Sequence, residues 1–139
     1  MTLYIDRPIG IDLGTTHSEV AVLDPSEKDL HVYADRFGRK TVPSAVAWDG
    51  SAFVVGRAAR AKRGTASPPV ESIKRKMGQD STVQCGPHTL RPEDVSAHIL
   101  RALRDQMHEY LRSGAPADVE VRVGRAVITV PAYFDAPQL

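Results

Sequence analysis

A short glycine-containing stretch between two apolar runs contains the side chains best suited to chemistry. It reads PIGIDLGTTHS, in which an acid precedes a glycine and two hydroxyl residues: Asp12, Gly14, Thr15 and Thr16. Because Gly14 has no Cβ, its backbone can approach an anion closely. The N–H groups of Thr15, Thr16 and His17 can then converge on that anion as a concave nest. The stretch predicts a β-hairpin whose tip binds phosphate.

Asp12, just before the turn, would face the bound phosphates. A carboxylate is tolerable there only if a cation lies between the two anions. Mg²⁺ held through its waters suits a single carboxylate beside phosphate oxygens. The same residues also fit an ordinary tight hairpin with a polar turn, and the stretch alone leaves both interpretations open.

The composition is typical of one folded domain and argues against several functional classes. The 139 residues are 42% hydrophobic and 25% charged, and their net charge is +1. This balance gives no electrostatic case for nucleic-acid or membrane partners. No apolar run approaches the roughly 18 residues of a membrane-spanning helix. A single cysteine, Cys85, excludes an internal disulfide, and with no signal-peptide pattern we expect a cytoplasmic protein.

Alternating apolar residues predict the strands that position the turn. The runs on either side of Gly14 form a first hairpin, and residues 30–35 add a third strand to make a meander. A second hairpin is predicted in TVPSAVAWDGSAFVVG, which turns at Asp49-Gly50. A small hairpin with Gly86-Pro87 at its tip is predicted within residues 79–91.

Two short helices are predicted between the hairpins, one over residues 56–63 and one in VESIKRKMG. The second helix carries Lys74, Arg75 and Lys76 at steps of about 100°, so that one of the three can face inward while the others remain in water. For a lysine in such a helix, plain solvent exposure is the simpler alternative.

A long helix is predicted from Pro92, a favourable first-turn residue, to the region of Gly114. Its apolar side chains recur at four-residue steps and should face the core: Val95, Ile99, Leu103 and Met107. Two histidines on the helix, His98 and His108, are flanked by charged residues, and we expect them in solvent rather than on a metal.

Two strands are predicted near the end of the chain. VEVRV at residues 119–123 alternates, and RAVITVPAYF follows as a nearly continuous apolar run ended by Pro131. An unbroken apolar run predicts a strand buried on both faces, which would add parallel to the first sheet.

Four separated segments together resemble the 70-kDa heat-shock chaperones of the DnaK type. They are IGIDLGTTHSEVAVLD, GRKTVPSAVAW with FVVGRAARAKR, SIKRKMG, and AVITVPAYFDAPQ. The resemblance implies the first part of an actin-like, ribonuclease-H-like ATPase domain of the α/β class, a lobe-one fragment. A mixed sheet would take residues 1–43 and 125–139, and a smaller α+β subdomain would be inserted over residues 44–124.

The resemblance also implies roles for single residues. Asp12 would hold Mg²⁺ through water, and the first phosphate loop would comprise Gly14, Thr15, Thr16 and His17, where His17 replaces the family's usual Asn or Tyr. Lys74 would orient the water that attacks the γ-phosphate, a task suited to a point charge. With Asp12 and Thr15, it forms the expected catalytic set. Pro131 would relay the nucleotide state.

We therefore expect an N-terminal fragment of an ATP-dependent chaperone that binds Mg-ATP or Mg-ADP and is inactive alone. A full-length relative would also engage unfolded polypeptide clients and co-chaperones. One alternative is a truncated, non-catalytic interaction module of the same family. Another is a different actin-like ATPase, such as a sugar kinase or a filament protein, against which SIKRKMG and VPAYF argue.

Overall fold

The computed structural model describes residues 3–23, 29–130 and 134–138. The described strands are β1 (Leu3–Asp6), β2 (Ile9–Asp12), β3 (His17–Leu23), β4 (Leu30–Val32), β5 (Val42–Pro43), β6 (Ala45–Trp48), β7 (Phe53–Val55), β8 (Val70–Glu71), β9 (Val83–Cys85), β10 (His88–Leu90), β11 (Val119–Arg122) and β12 (Ala126–Thr129). The described helices are α1 (Arg57–Arg60), α2 (Pro92–Gly114) and 3-10 helices at Ile73–Lys76 and Ala136–Gln138. The fold is therefore of the α/β class.

A mixed sheet carries the glycine-containing turn. Its strands follow the order β12-β2-β3-β4, and β5 also pairs with β3. Strands β2, β3 and β4 are antiparallel neighbours, whereas β12 lies parallel to β2. The predicted meander and the parallel addition of the last strand are both confirmed. Along β3 the buried side chains alternate at Ser18, Val20 and Val22, as expected of a strand with one face on the core.

The remaining strands form smaller sheets. β6 pairs with β7 and β8, which confirms the hairpin predicted at Asp49-Gly50. The turn is closed by Asp49, whose Oδ1 accepts hydrogen bonds from the Ser51 and Ala52 amides at 2.8 Å. β9 and β10 form the small hairpin predicted around Gly86, and β1 pairs in parallel with β11.

Helix α2 joins the two larger sheets through one core. Its apolar stripe of Val95, Ile99, Leu103 and Met107 is fully buried, as predicted. These side chains belong to one cluster with residues of both sheets: Ile9, Ile11, Val20, Val22 and Val46. No helix in the described part of the chain is long and apolar enough to cross a bilayer.

The expectation for β12 is wrong in one respect. All four of its residues are exposed, including Val127 at 71% and Ile128 at 42% of their surface, so this strand is not buried on both faces. The reason is that, among the described residues, α2 does not pack tightly over the face of this strand. A cavity of about 340 Å³ lies between them, lined by Leu100 and Arg104 of the helix and by Ile128 of the strand.

The solvent placement of the two α2 histidines is also wrong. His98 is partly buried against Phe53, with ring centroids 4.3 Å apart, and this burial lowers the pKa of His98, with a smaller contribution from Arg101. The Nε2 atom of His108 lies 2.9 Å from the Val121 carbonyl oxygen, which connects α2 with β11. Both side chains therefore contact other elements of the fold, one through ring packing and the other through a hydrogen bond.

Candidate functional site

The turn between β2 and β3 requires glycine for a steric reason inside the turn itself. A Cβ at Gly14 would lie 1.9 Å from the His17 carbonyl oxygen, far inside van der Waals contact. Residue 14 can therefore carry no side chain unless the backbone shifts. From the sequence, glycine was predicted here because it allows close approach to an anion; the structure adds a requirement that holds without any ligand.

The tip of this turn offers donors. In the described residues, the N–H groups of Thr15 and Thr16 donate to no backbone carbonyl. Thr16 and His17 are exposed and Thr15 is partly exposed. The Gly14 N–H, by contrast, is taken, because it donates to Ser18 Oγ at 3.2 Å. The amides available to an anion therefore begin at Thr15.

Lys74 reaches the base of the same turn from 61 residues away. Its Nζ donates a hydrogen bond to the Leu13 carbonyl oxygen, and the residue is only 9% exposed. Arg75 and Lys76 are exposed. Of the three basic residues on this helix, Lys74 is thus the one that faces inward, as the spacing allowed, and its ammonium lies beside the turn. The Phe134 ring lies 5.9 Å from the same ammonium.

The segment before Lys74 fixes its direction. Strand β8 pairs with β6, and Glu71 at its end is held by Arg63, whose Nε lies 2.8 Å from Oε2. This hydrogen bond lowers the pKa of Glu71. The next residue, Ser72, has a φ of 56°, a left-handed conformation that is uncommon outside glycine. The chain therefore turns sharply from the strand into the 3-10 helix, which directs Ile73 and Lys74 inward.

Asp12 lies at the end of β2 with its side chain exposed. Its Oδ1 accepts a hydrogen bond of 2.8 Å from Thr129 Oγ1, on the neighbouring strand β12. The two residues are direct partners in the parallel register, so the ends of both strands meet at the turn. Thr129 was not among the predicted site residues, although it is the one polar residue in the run AVITV.

Two buried serines complete the surroundings of the turn and were also missed. Ser18 and Ser44 are 1% and 2% exposed, and Ser44 Oγ donates to the Gly14 carbonyl oxygen at 2.8 Å. The Ser44 amide donates to the Thr16 carbonyl oxygen at 2.9 Å. Ser44 lies between the strands β5 and β6. A hydroxyl residue within this otherwise apolar run was the signal in the sequence that could have identified it. The predicted relay residue Pro131 lies outside the described residues.

These contacts bring Asp12, the turn and Lys74 together at one end of the mixed sheet. Comparison with known proteins defines the class to which this arrangement belongs. The model of the Hsp70 protein family matches residues 8–85 and 80–138, and the chain belongs to this family of chaperones.

Individual relatives agree with that assignment. The chain is 41% identical over 130 residues to the chaperone protein DnaK of Mesomycoplasma hyopneumoniae strain 232, and 38% identical over 133 residues to that of Mycoplasma mobile. The two alignments cover 94% and 96% of this chain. They cover 20% of each relative, so the chain spans about a fifth of the length of the curated relatives that it matches.

Proposed function

We propose that this chain contributes the first phosphate loop and the catalytic lysine to a Mg-ATP site of an ATP-dependent chaperone. Gly14, Thr15, Thr16 and His17 would form the loop. The observation that carries the proposal is the meeting of Lys74 with the Leu13 carbonyl, because it brings a cation from a distant segment to the base of a turn with unpaired amides.

The free donors fit a phosphate group. The amides of Thr15 and Thr16 donate to no described backbone carbonyl, so they can donate to an anion without losing a partner. Phosphoryl transfer depends mainly on positioning and on charge stabilisation, which fixed amides and a nearby ammonium can provide. Thr15 belongs to the catalytic set on this basis.

Asp12 fits a magnesium ion bound through water. Mg²⁺ usually keeps several waters and contacts one or two carboxylates together with substrate phosphates, and Asp12 offers one exposed carboxylate at the turn. When bound, the ion would neutralise charge on the phosphate oxygens. Thr129 would orient this carboxylate, since its hydroxyl donates to Oδ1.

Lys74 would act on the attacking water. An ammonium has three donors, and the Leu13 carbonyl takes one of them. The remaining donors can hold a water or a γ-phosphate oxygen close to the loop. Fixing one N–H on the backbone limits the rotation of the side chain, so the charge is already positioned before the ligand arrives.

In a full-length relative we infer that this site couples ATP binding and hydrolysis to the binding and release of unfolded polypeptides, with Pro131 as relay and co-chaperones as further partners. The mixed sheet of residues 1–43 and 125–139 and the inserted subdomain of residues 44–124 would form part of an actin-like lobe. Strand β11 pairs with β1 and so connects the two proposed parts.

The test is titration of the chain with Mg-ATP, followed by amide chemical shifts and calorimetry. We expect Mg²⁺-dependent shifts at Gly14–His17. Lys74→Ala should weaken binding about tenfold, near 1.4 kcal/mol, because it removes a charge next to the phosphates. Lys76→Ala is the matched control, since it removes the same charge from an exposed position on the same helix.

Asp12→Asn should reduce the Mg²⁺ dependence while leaving binding of metal-free nucleotide in place. Equal affinities for Lys74→Ala and Lys76→Ala, or shifts remote from the turn, would contradict the proposal. Single-turnover assays test the expectation that this chain alone is inactive: hydrolysis abolished by Lys74→Ala would refute that expectation.

The non-catalytic alternative has one observation in its favour. Strand β12 ends the mixed sheet with apolar side chains exposed, and such an edge can pair with further polypeptide. Under this alternative the chain would associate through β12 and would show no Mg-ATP shifts at the turn. The same titration therefore separates the two functions.

A further inference from the structure

Beneath the turn, the buried hydroxyls of Ser18 and Ser44 connect the N–H and the C=O of Gly14. Gly14 N–H donates to Ser18 Oγ at 3.2 Å, and Ser44 Oγ lies 2.8 Å from the Gly14 carbonyl oxygen. The two hydroxyl oxygens are 2.8 Å apart. The bonds form a closed ring that begins and ends at Gly14.

The direction of every proton in this ring follows from the number of donors. A carbonyl oxygen can only accept, so Ser44 must donate its one hydroxyl proton to Gly14. The proton between the two serines must then come from Ser18, whose oxygen accepts from the Gly14 amide. Each hydroxyl donates once and accepts once, and bonds arranged head to tail in this way polarise and strengthen one another.

The ring also orients the neighbouring peptide groups. In a trans peptide the C=O of one residue and the N–H of the next point in opposite directions. Because the Gly14 carbonyl is directed at Ser44, the Thr15 N–H points away from it. The Ser44 amide donates to the Thr16 carbonyl at 2.9 Å, so the His17 N–H points away from Ser44 as well.

We propose that Ser44, supported by Ser18, is the positioning residue that directs the Thr15 and His17 N–H groups away from itself and so holds the free Thr15 amide ready for an anion. Residue 44 lies 30 positions from Gly14, so the orientation of the turn is imposed by a separate segment. The consequence for phosphate binding rests on the proposed function; the orientation of the turn does not. Neither serine touches the ligand in this role.

The experiment has two readouts on the wild-type chain and its variants. Hydrogen exchange of the Gly14 amide reports the ring without any ligand. Titration with Mg-tripolyphosphate reports the oriented amides without any contribution from adenosine. Ser44→Ala should speed Gly14 exchange and weaken tripolyphosphate about tenfold, because the Gly14 carbonyl and the Ser18 proton lose their partner. Ser18→Ala should give a smaller loss of affinity, since the Ser44 bond to the Gly14 carbonyl remains.

Two variants separate positioning from general stability. Ser96→Ala removes another buried serine hydroxyl, which lies on α2 and contacts Met77 Sδ, and it should alter the melting temperature without changing either readout. Ser44→Cys keeps the side-chain shape but replaces a strong donor by a weak one. It should fold where Ser44→Ala fails, and it should still speed Gly14 exchange and weaken tripolyphosphate.

If the Gly14 amide exchanged at the wild-type rate in both Ser44→Cys and Ser44→Ala, the proposed hydrogen-bonded ring would be contradicted. Altered exchange with unchanged tripolyphosphate affinity would overturn the positioning role while leaving the proposed function intact. If the wild-type chain bound no tripolyphosphate, the proposed function would fail, and the exchange data would still decide whether Ser44 orients the turn.

Discussion

Two regions next to strand β2 differ in which groups they bury: the β2–β3 turn on one side and strand β12 on the other. At the β2–β3 turn, polar groups are buried and partnered: Ser18, Ser44 and Lys74 all bond to the turn or to one another. At β12, apolar side chains are exposed, and Val127 shows 71% of its surface. The turn is therefore organised by contacts among described residues, whereas the β12 edge leaves apolar surface open to another polypeptide.

The largest effect on the turn, and the strongest test of its difference from β12, is expected from substitution of Gly14. Gly14→Ala places a Cβ 1.9 Å from the His17 carbonyl oxygen, so the turn must change shape. Because the amides of the turn would lose their orientation, we expect Mg-ATP affinity to fall about a hundredfold or more, near 2.7 kcal/mol. Calorimetric titration measures this loss.

Gly10→Ala on β2 is the control for the added methyl group. A Cβ at Gly10 meets nothing within 4 Å, so this variant should bind like the wild type. A Gly14→Ala chain with unchanged affinity would show that the turn does not need its described shape to bind phosphate.

A smaller effect is expected at the β12 edge. The exposed apolar strand should make the chain associate at high concentration, and Val127→Lys should shift it towards monomer by adding a charge at the edge. Sedimentation or light scattering measures the change. Ala58→Lys, at an exposed position of α1, adds the same charge elsewhere and should leave association unaltered. Mg-ATP binding at the turn should be the same in all three chains. A wild-type chain that is monomeric and melts in one sharp transition would contradict this prediction.

The smallest effect concerns pH and lies away from both regions. Burial lowers the pKa of His98, so the unfolded chain binds a proton more readily than the folded chain. The stability from neutral His98 is complete above about pH 6.5 and is lost as the pH falls through the folded-state pKa. We expect a decrease in melting temperature of about 2 °C over this range. His98→Gln should flatten that slope; a slope unchanged from the wild type would assign the dependence to other groups.

Local patterns predicted most of the elements correctly. The alternation around Gly14, the Asp49-Gly50 turn and the four-residue spacing from Val95 to Met107 each depend on neighbours in sequence, and each prediction is confirmed. The exposure of β12 was not predictable in this way. An apolar run indicates a strand, but whether a second layer covers that strand depends on where α2 packs.

The candidate site likewise has residues that the sequence predicted and contacts that only the structure revealed. Asp12, Gly14, Thr15 and Thr16 are adjacent in sequence, so their types and order indicated a phosphate turn, and the four separated segments indicated the family. Only the tertiary structure decided that Lys74 faces inward while Lys76 faces water. It also decided that Thr129 contacts Asp12 and that Ser44 contacts Gly14. Hydrogen bonds act over about 3 Å, so contacts between residues 30 to 117 positions apart exist only once β12, β5 and the 3-10 helix have packed around the turn.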